Sequence, residues 1–137
     1  MSKSASQLKQ FARRLLAHEA SSSKSAAAHT PTAFRVCEKL RKPLGKLLGL
    51  GGFRALLLRA QALAGMEVPW LLALQLKADG SIEGLDELEK KFKSPAIAQG
   101  EIVLVAQLLA LMTTFIGAEL TLRLLHDIWP ELAELKF

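Results

Sequence analysis

The sequence predicts an all-α protein. It reads as a single compact bundle of five or six helices around a long central helix, about residues 96–129, with a basic N-terminal helical arm on a flexible linker. Three observations predict this. Residues 101–129 (EIVLVAQLLALMTTFIGAELTLRLLHDIW) contain no proline and one glycine. Alanine, leucine and lysine dominate a chain that is 50% hydrophobic and has no tyrosine, and long β-branched runs are scarce outside 102–105, which favours helix over strand. Apolar residues also recur at helical spacing through most of the remaining chain.

The central stretch divides in two. Between Ile102 and Ala118 the one strongly polar side chain is Gln107, with Thr113 and Thr114 as weaker interruptions. These residues would form a helix about 25 Å long at about 1.5 Å per residue. A helix apolar on every side is buried, in protein or in a bilayer. The run lies at the short end of the roughly 17–25 residues of a spanning helix. Glu101 and Glu119 close it, and its flanks lack aromatic and basic interfacial anchors. A buried central helix, completed by a second subunit where its own helices leave it bare, is the reading adopted. One membrane span over 102–118 is an alternative. Beyond it, Glu119, Arg123 and Asp127 fall at i, i+4 and i+8 as a charge ladder opposite Leu120, Leu124, Leu125 and Ile128. Gly117 is expected to admit a closely packed neighbour, because glycine inside a helix costs about 1 kcal/mol relative to alanine. Pro130 stops or redirects the helix.

At 137 residues the chain fits one domain. Two regions are expected within it: 1–32, a basic amphipathic arm and Ser/Ala-rich linker, and 33–137, the helical domain. In the arm, Leu8, Phe11, Leu15 and Leu16 share one side of a helix over 6–19, and residues 21–32 (SSSKSAAAHTPT) read as a tether. Such an arm serves as a partly ordered tail, as a binder of anionic surfaces or as a mitochondrial targeting segment. No apolar core of a secretory signal is present at the N-terminus.

Thr32 is an expected N-cap for AFRVCEKLRK, with Phe34, Cys37 and Leu40 on one face. Pro43 should end or kink this helix. The GLGG run at 49–52 should break the chain before FRALLLRAQALA, and Gly65 should terminate that helix. Pro69 should start a helix through WLLALQLK, closed at 78–80, and a short charged helix should follow over 81–92. Ser94 and Pro95 form a cap with proline at the first helical position, ahead of a bend at Gly100.

Charge is unevenly distributed. Residues 1–60 carry 12 of the 18 Lys/Arg against Glu19 and Glu38, a net +10, whereas 61–137 carry 6 against 11 acids, a net −5. Either the two halves attract each other or the basic half meets an anionic partner. The densest basic cluster is Arg35, Lys39, Arg41, Lys42 and Lys46, extended by Arg54 and Arg59, and these seven form a candidate anion-binding patch. Only Phe34 and Phe53 are interleaved with it, so base stacking is poorly supported. FRALLLRAQALA also lacks the polar face of a recognition helix.

No chemical motif is complete. Asp79-Gly80-Ser81-Ile82 resembles the second half of an EF-hand loop, but Gln75 and Lys77 stand where acidic ligands are needed, so an Asp-Gly turn or a short LQLK/SIEG hairpin is the simpler reading. The glycines at 45, 49, 51 and 52 lack the Gly-Lys-Ser/Thr ending of a phosphate loop. Cys37, His126 and Asp127 are the residue types of a thiol catalytic set, but Cys37 lies in an apolar stripe. His126 suits a helix C-terminus, and His18 and His29 lie in the arm and linker. One cysteine excludes an internal disulfide and fits a reducing compartment. No catalytic, cofactor-binding or metal residues are therefore assigned, and no small-molecule substrate is inferred.

The expectation is a non-enzymatic, oligomeric helical interaction or regulatory module in the cytoplasm, with Trp70, Phe115 and Gly117 as candidate interface residues. Its alternative is a binder of nucleic acid or an anionic membrane surface through the arm and residues 35–59. A small membrane protein is the third reading.

Overall fold

Helix accounts for most of the chain. A computed structural model describes residues 5–22, 32–78, 82–84, 87 and 94–132. Among these are four α-helices: α1 (Ala5–Ser22), α2 (Thr32–Glu67), α3 (Ser94–Ile116) and α4 (Ala118–Ile128). Two 3-10 turns, Pro69–Ala73 and Pro130–Leu132, and a two-stranded antiparallel pair, β1 (Gln75–Leu76) and β2 (Ile82–Glu83), complete the described elements.

α3 packs against α1, α2, α4 and the first 3-10 turn. Val103, Leu104, Val105, Ala106, Leu108, Leu109 and Met112 are buried there, whereas Thr114 and Phe115 emerge at its C-terminal end. Ile102, Gln107, Ala110 and Leu111 are only half-buried, so the helix is covered on one broad side and the burial expected on every side is not met. Thr113 and Thr114 return their hydroxyl protons to the carbonyls of Leu109 and Ala110, at 2.9 and 3.0 Å, so neither polar group interrupts the helix.

The single helix expected over 96–129 is two helices. Gly117 adopts φ 89°, ψ 155°, a conformation essentially closed to other residues, and separates α3 from α4. A side chain placed at Gly117 would meet nothing, so backbone freedom explains this glycine and close approach does not. α3 runs through Gly100 without the interruption expected there. Close approach operates there instead, because the Trp70 ring fills the space a Cβ at Gly100 would need. Within α4 the ladder is present as an Arg123–Glu119 contact of 3.8 Å between largely exposed side chains, worth little to stability.

The arm packs as part of the bundle. Leu8, Phe11, Ala12, Leu15 and Leu16 of α1 lie in the same core as α2 and α3. Burial of such leucines and phenylalanines contributes about 1.5–3 kcal/mol each. Lys9 also binds Glu67 at the far end of α2 at 2.6 Å. The tether expected over 21–32 lies mostly outside the described residues.

α2 runs through Pro43 without a break, held by buried Leu40 and Leu44 on either side. Its one non-helical residue is Gly49, at φ 79°, ψ 160°, which realises the break expected in the GLGG run. Gly65 does not end the helix. It is buried, and Leu72 occupies the space where a Cβ would stand. At the N-terminus of α2, the Ala33 amide donates to Glu101 of α3 at 2.7 Å, which supplies a partner to one of the first-turn donors.

The helix expected over 69–77 is a 3-10 turn followed by β1. The cause lies in α2. Buried Gln61 donates from its amide to the carbonyls of Leu71 and Leu74, both at 2.8 Å. Arg54 donates to those of Lys77, at 2.9 Å, and Leu76, at 3.3 Å. Carbonyls that a helix would use internally are thus taken by side chains. β1 pairs with β2 in the register Gln75↔Glu83 and Leu76↔Ile82, braced by Lys77 on Glu83 at 2.9 Å. This is the hairpin reading of LQLK and SIEG. The Asp79-Gly80-Ser81 tip and most of the helix expected over 81–92 lie outside the described residues.

α2 and residues 95–116 of α3 are long and apolar enough to cross a membrane by length and composition. Of their most apolar windows, 33% and 50% are buried within the protein.

Candidate interaction surface

The break at Gly49 determines which side chains are left uncovered. Two further glycines follow at 51 and 52, and Phe53 beyond them is fully buried. Leu47 and Leu50 flank the break and are 50% and 48% exposed. α3 ends in Phe115, 65% exposed, two residues before the Gly117 break. Leu48, Gly52, Ala55, Leu56, Arg59 and Phe115 line a groove of about 360 Å³ between these elements. The groove thus brings residues that follow or adjoin the Gly49 break together with Phe115, and the apolar residues around it, with Leu47 and Leu50 beside the break, are referred to as the shoulder.

Of the three candidate interface residues, Phe115 and Gly117 are exposed at this shoulder. Trp70 is half-buried against Gly100, at the other end of α3 and about 22 Å away along the helix at about 1.5 Å per residue. Trp70 therefore serves packing, and it does not share a surface with Phe115. The leucines at 47 and 50 were not singled out by sequence reasoning. Their signal was position, immediately beside a glycine run that ends a helix.

The seven-residue basic patch is divided. Arg35 and Lys39 face buried Glu19, at 3.5 and 2.7 Å. Arg41 binds Glu38 at 2.9 Å, and Arg54 holds the hairpin carbonyls. Lys42, Lys46 and Arg59 are exposed and make no ion pair among the described residues. Arg59 lines the groove, and Lys46 directly precedes Leu47. Two of the three exposed cations thus adjoin the apolar residues, Arg59 in the groove and Lys46 along the chain.

A second cleft, about 240 Å³, lies between α1 and the start of α3 beside Leu16, Ala20, Thr32 and Ile102. Its one acid, Glu101, already caps α2.

The three residues of the thiol set are Cys37, His126 and Asp127. Cys37 is buried, and desolvation, followed by the nearby charges of Glu38 and Glu101, pushes its pKa from 9.0 up to about 12. His18 contacts Glu131 at 3.4 Å, and His126 lies half-buried in the last turn of α4. Among the described residues no three His, Cys, Asp or Glu side chains converge as a metal site. His29 lies outside the described residues.

Comparison with protein-family models, curated proteins and solved structures finds no match to this chain.

Proposed function

We propose that this protein is a non-enzymatic helical interaction module that works through the shoulder formed by Leu47, Leu50 and Phe115. One observation carries the reading: the most exposed aromatic of the described core helices, 65% exposed, overhangs an apolar groove of about 360 Å³. Leaving large apolar groups in water forgoes about 25 cal/mol per Å² of burial, and a covering partner recovers it. Self-association, the oligomeric form expected from the sequence, is the case in which the cover is a second copy.

The triple variant Leu47→Ser, Leu50→Ser, Phe115→Ser tests the proposal, read by thermal unfolding and by retention on a hydrophobic-interaction column. An interaction surface loses retention while the unfolding midpoint stays within a few degrees of the parent. A large fall in midpoint would assign these side chains to the fold and remove the proposal. Light scattering over a wide concentration range separates a second copy from other partners.

A further inference from the structure

We infer that the shoulder at the α2 break docks on an anionic lipid surface, with Leu47, Leu50 and Phe115 entering the interface and Lys42, Lys46 and Arg59 meeting the headgroups. The inference rests on the interaction-module reading and names its partner.

Charge complementarity carries it. Residues 39–66 contain six Lys/Arg and not one Asp or Glu. Three of the six are turned to internal partners: Lys39 to Glu19, Arg41 to Glu38 and Arg54 to the hairpin carbonyls. Lys42, Lys46 and Arg59 are left exposed on either side of the break. The same stretch carries the exposed leucines, and only 33% of the most apolar window of α2 is buried in the protein. Apolar groups ringed by lysine and arginine are the composition of segments that lie in the headgroup region of an anionic bilayer, where burial and electrostatic attraction add.

The same observations weigh against other occupants. A two-fold pairing of the shoulder with itself sets the same surface against its copy. Such a pairing would gather six cations, Lys42, Lys46 and Arg59 from each copy, at one interface, where residues 39–66 supply no acid. Nucleic acid would use the three cations but leave Leu47, Leu50 and Phe115 in water, because phosphate contacts need charge and not leucine. A lipid surface uses both groups at once.

Co-sedimentation of the full chain with phosphatidylcholine vesicles, with and without phosphatidylserine, tests the inference at low and high salt. The variants are Leu47→Ser, Leu50→Ser, Phe115→Ser and a charge variant, Lys42→Gln, Lys46→Gln, Arg59→Gln. The charge variant changes only exposed side chains and keeps the test valid should the apolar variant fail to fold. The parent is expected to sediment with the phosphatidylserine vesicles alone, and less so at high salt. The charge variant should lose on the order of a hundredfold in partition coefficient, about fivefold per basic side chain. Equal binding to neutral vesicles, or binding the charge variant retains, would overturn the lipid inference. So would parent protein that ignores vesicles but forms dimers that the apolar variant cannot, an outcome that keeps the module reading. Binding to DNA that the apolar variant retains in full would also overturn it. Absent vesicle binding, together with a strict monomer and unchanged column retention of the apolar variant, would remove both.

Discussion

Trp129 donates its indole N–H to the carboxylate of Glu19 at 2.9 Å, joining residues 110 positions apart in a buried contact. The same carboxylate receives Lys39 at 2.7 Å and lies 3.5 Å from Arg35. Three elements meet at this one acid: the end of α1, the start of α2 and the residue that ends α4. Glu19 is fully buried, whereas Lys39 is 44% exposed, so Arg35, at 15%, is the cation most dependent on it.

Glu19→Ala should therefore destabilise the protein by about 3 kcal/mol, because a buried pair broken from one side leaves its partner uncompensated. Glu19→Gln keeps an acceptor for Trp129 and should cost less, about 1–2 kcal/mol. Urea unfolding followed by circular dichroism measures both. An alanine cost below about 1 kcal/mol, the value of an ordinary hydrogen bond, would show that the three elements are held by packing alone.

The contact of Gly100 with Trp70 gives a second prediction. Gly100→Ala should cost about 1–3 kcal/mol in the parent, as overpacking does. In a Trp70→Ala background the clash is gone, and the same change should be neutral or gain up to about 1 kcal/mol from helix propensity. A double-mutant cycle by chemical denaturation reads the difference. Equal costs in both backgrounds would mean that Gly100 is constrained by something other than the indole.

The helices were legible in the sequence because their cause is local. The periodicity of Leu8, Phe11, Leu15 and Leu16 and the apolar run from Ile102 act within a few turns, whereas the cap expected from Thr32 is supplied by distant Glu101. What these stripes pack against was not legible. Leu8 to Leu16 read as a tethered arm, and the fold has them in the core. Pro43 and Gly65 were misread for a related reason, since tertiary burial overrides local propensity. The turn at 69–77 was decided by Gln61 and Arg54, whose side-chain hydrogen bonds reach 10 to 23 residues along the chain. Of the candidate site, the basic patch was legible as composition, but its division was not. Which lysines and arginines are occupied depends on Glu19, Glu38 and the hairpin, and periodicity carries no record of them.

The glycines yield predictions of opposite sign. Gly49 and Gly117 have φ of 79° and 89°, and neither has a neighbour that would clash with a Cβ. Alanine at either should cost about 1–3 kcal/mol through backbone strain alone. Gly45 and Gly51 lie in helical conformation with equally open surroundings. Alanine there should instead stabilise by about 0.5–1 kcal/mol, by lowering the entropy of the unfolded chain. Four single variants compared by thermal unfolding test the division. A destabilising Gly45→Ala together with a neutral Gly49→Ala would place the break in α2 elsewhere.

Cys37 links burial to pH. Its folded pKa is raised by desolvation to about 12 from an ordinary 9.0, so the folded state holds the thiol proton where the unfolded chain releases it. Below pH 9.0 both states carry the proton and the group contributes no pH dependence. Between 9.0 and about 12 the unfolded state binds fewer protons, and stability falls as pH rises. Cys37→Ala removes this slope, which should show as a flatter stability profile across that window. The same burial predicts that a thiol reagent near neutral pH reacts only as fast as the protein opens, and at full rate in denaturant. Prompt stoichiometric labelling of the folded protein would mean that the contacts of α2 with α1 and α3 open on the timescale of the reagent, and the core assigned to Cys37 would have to be redrawn.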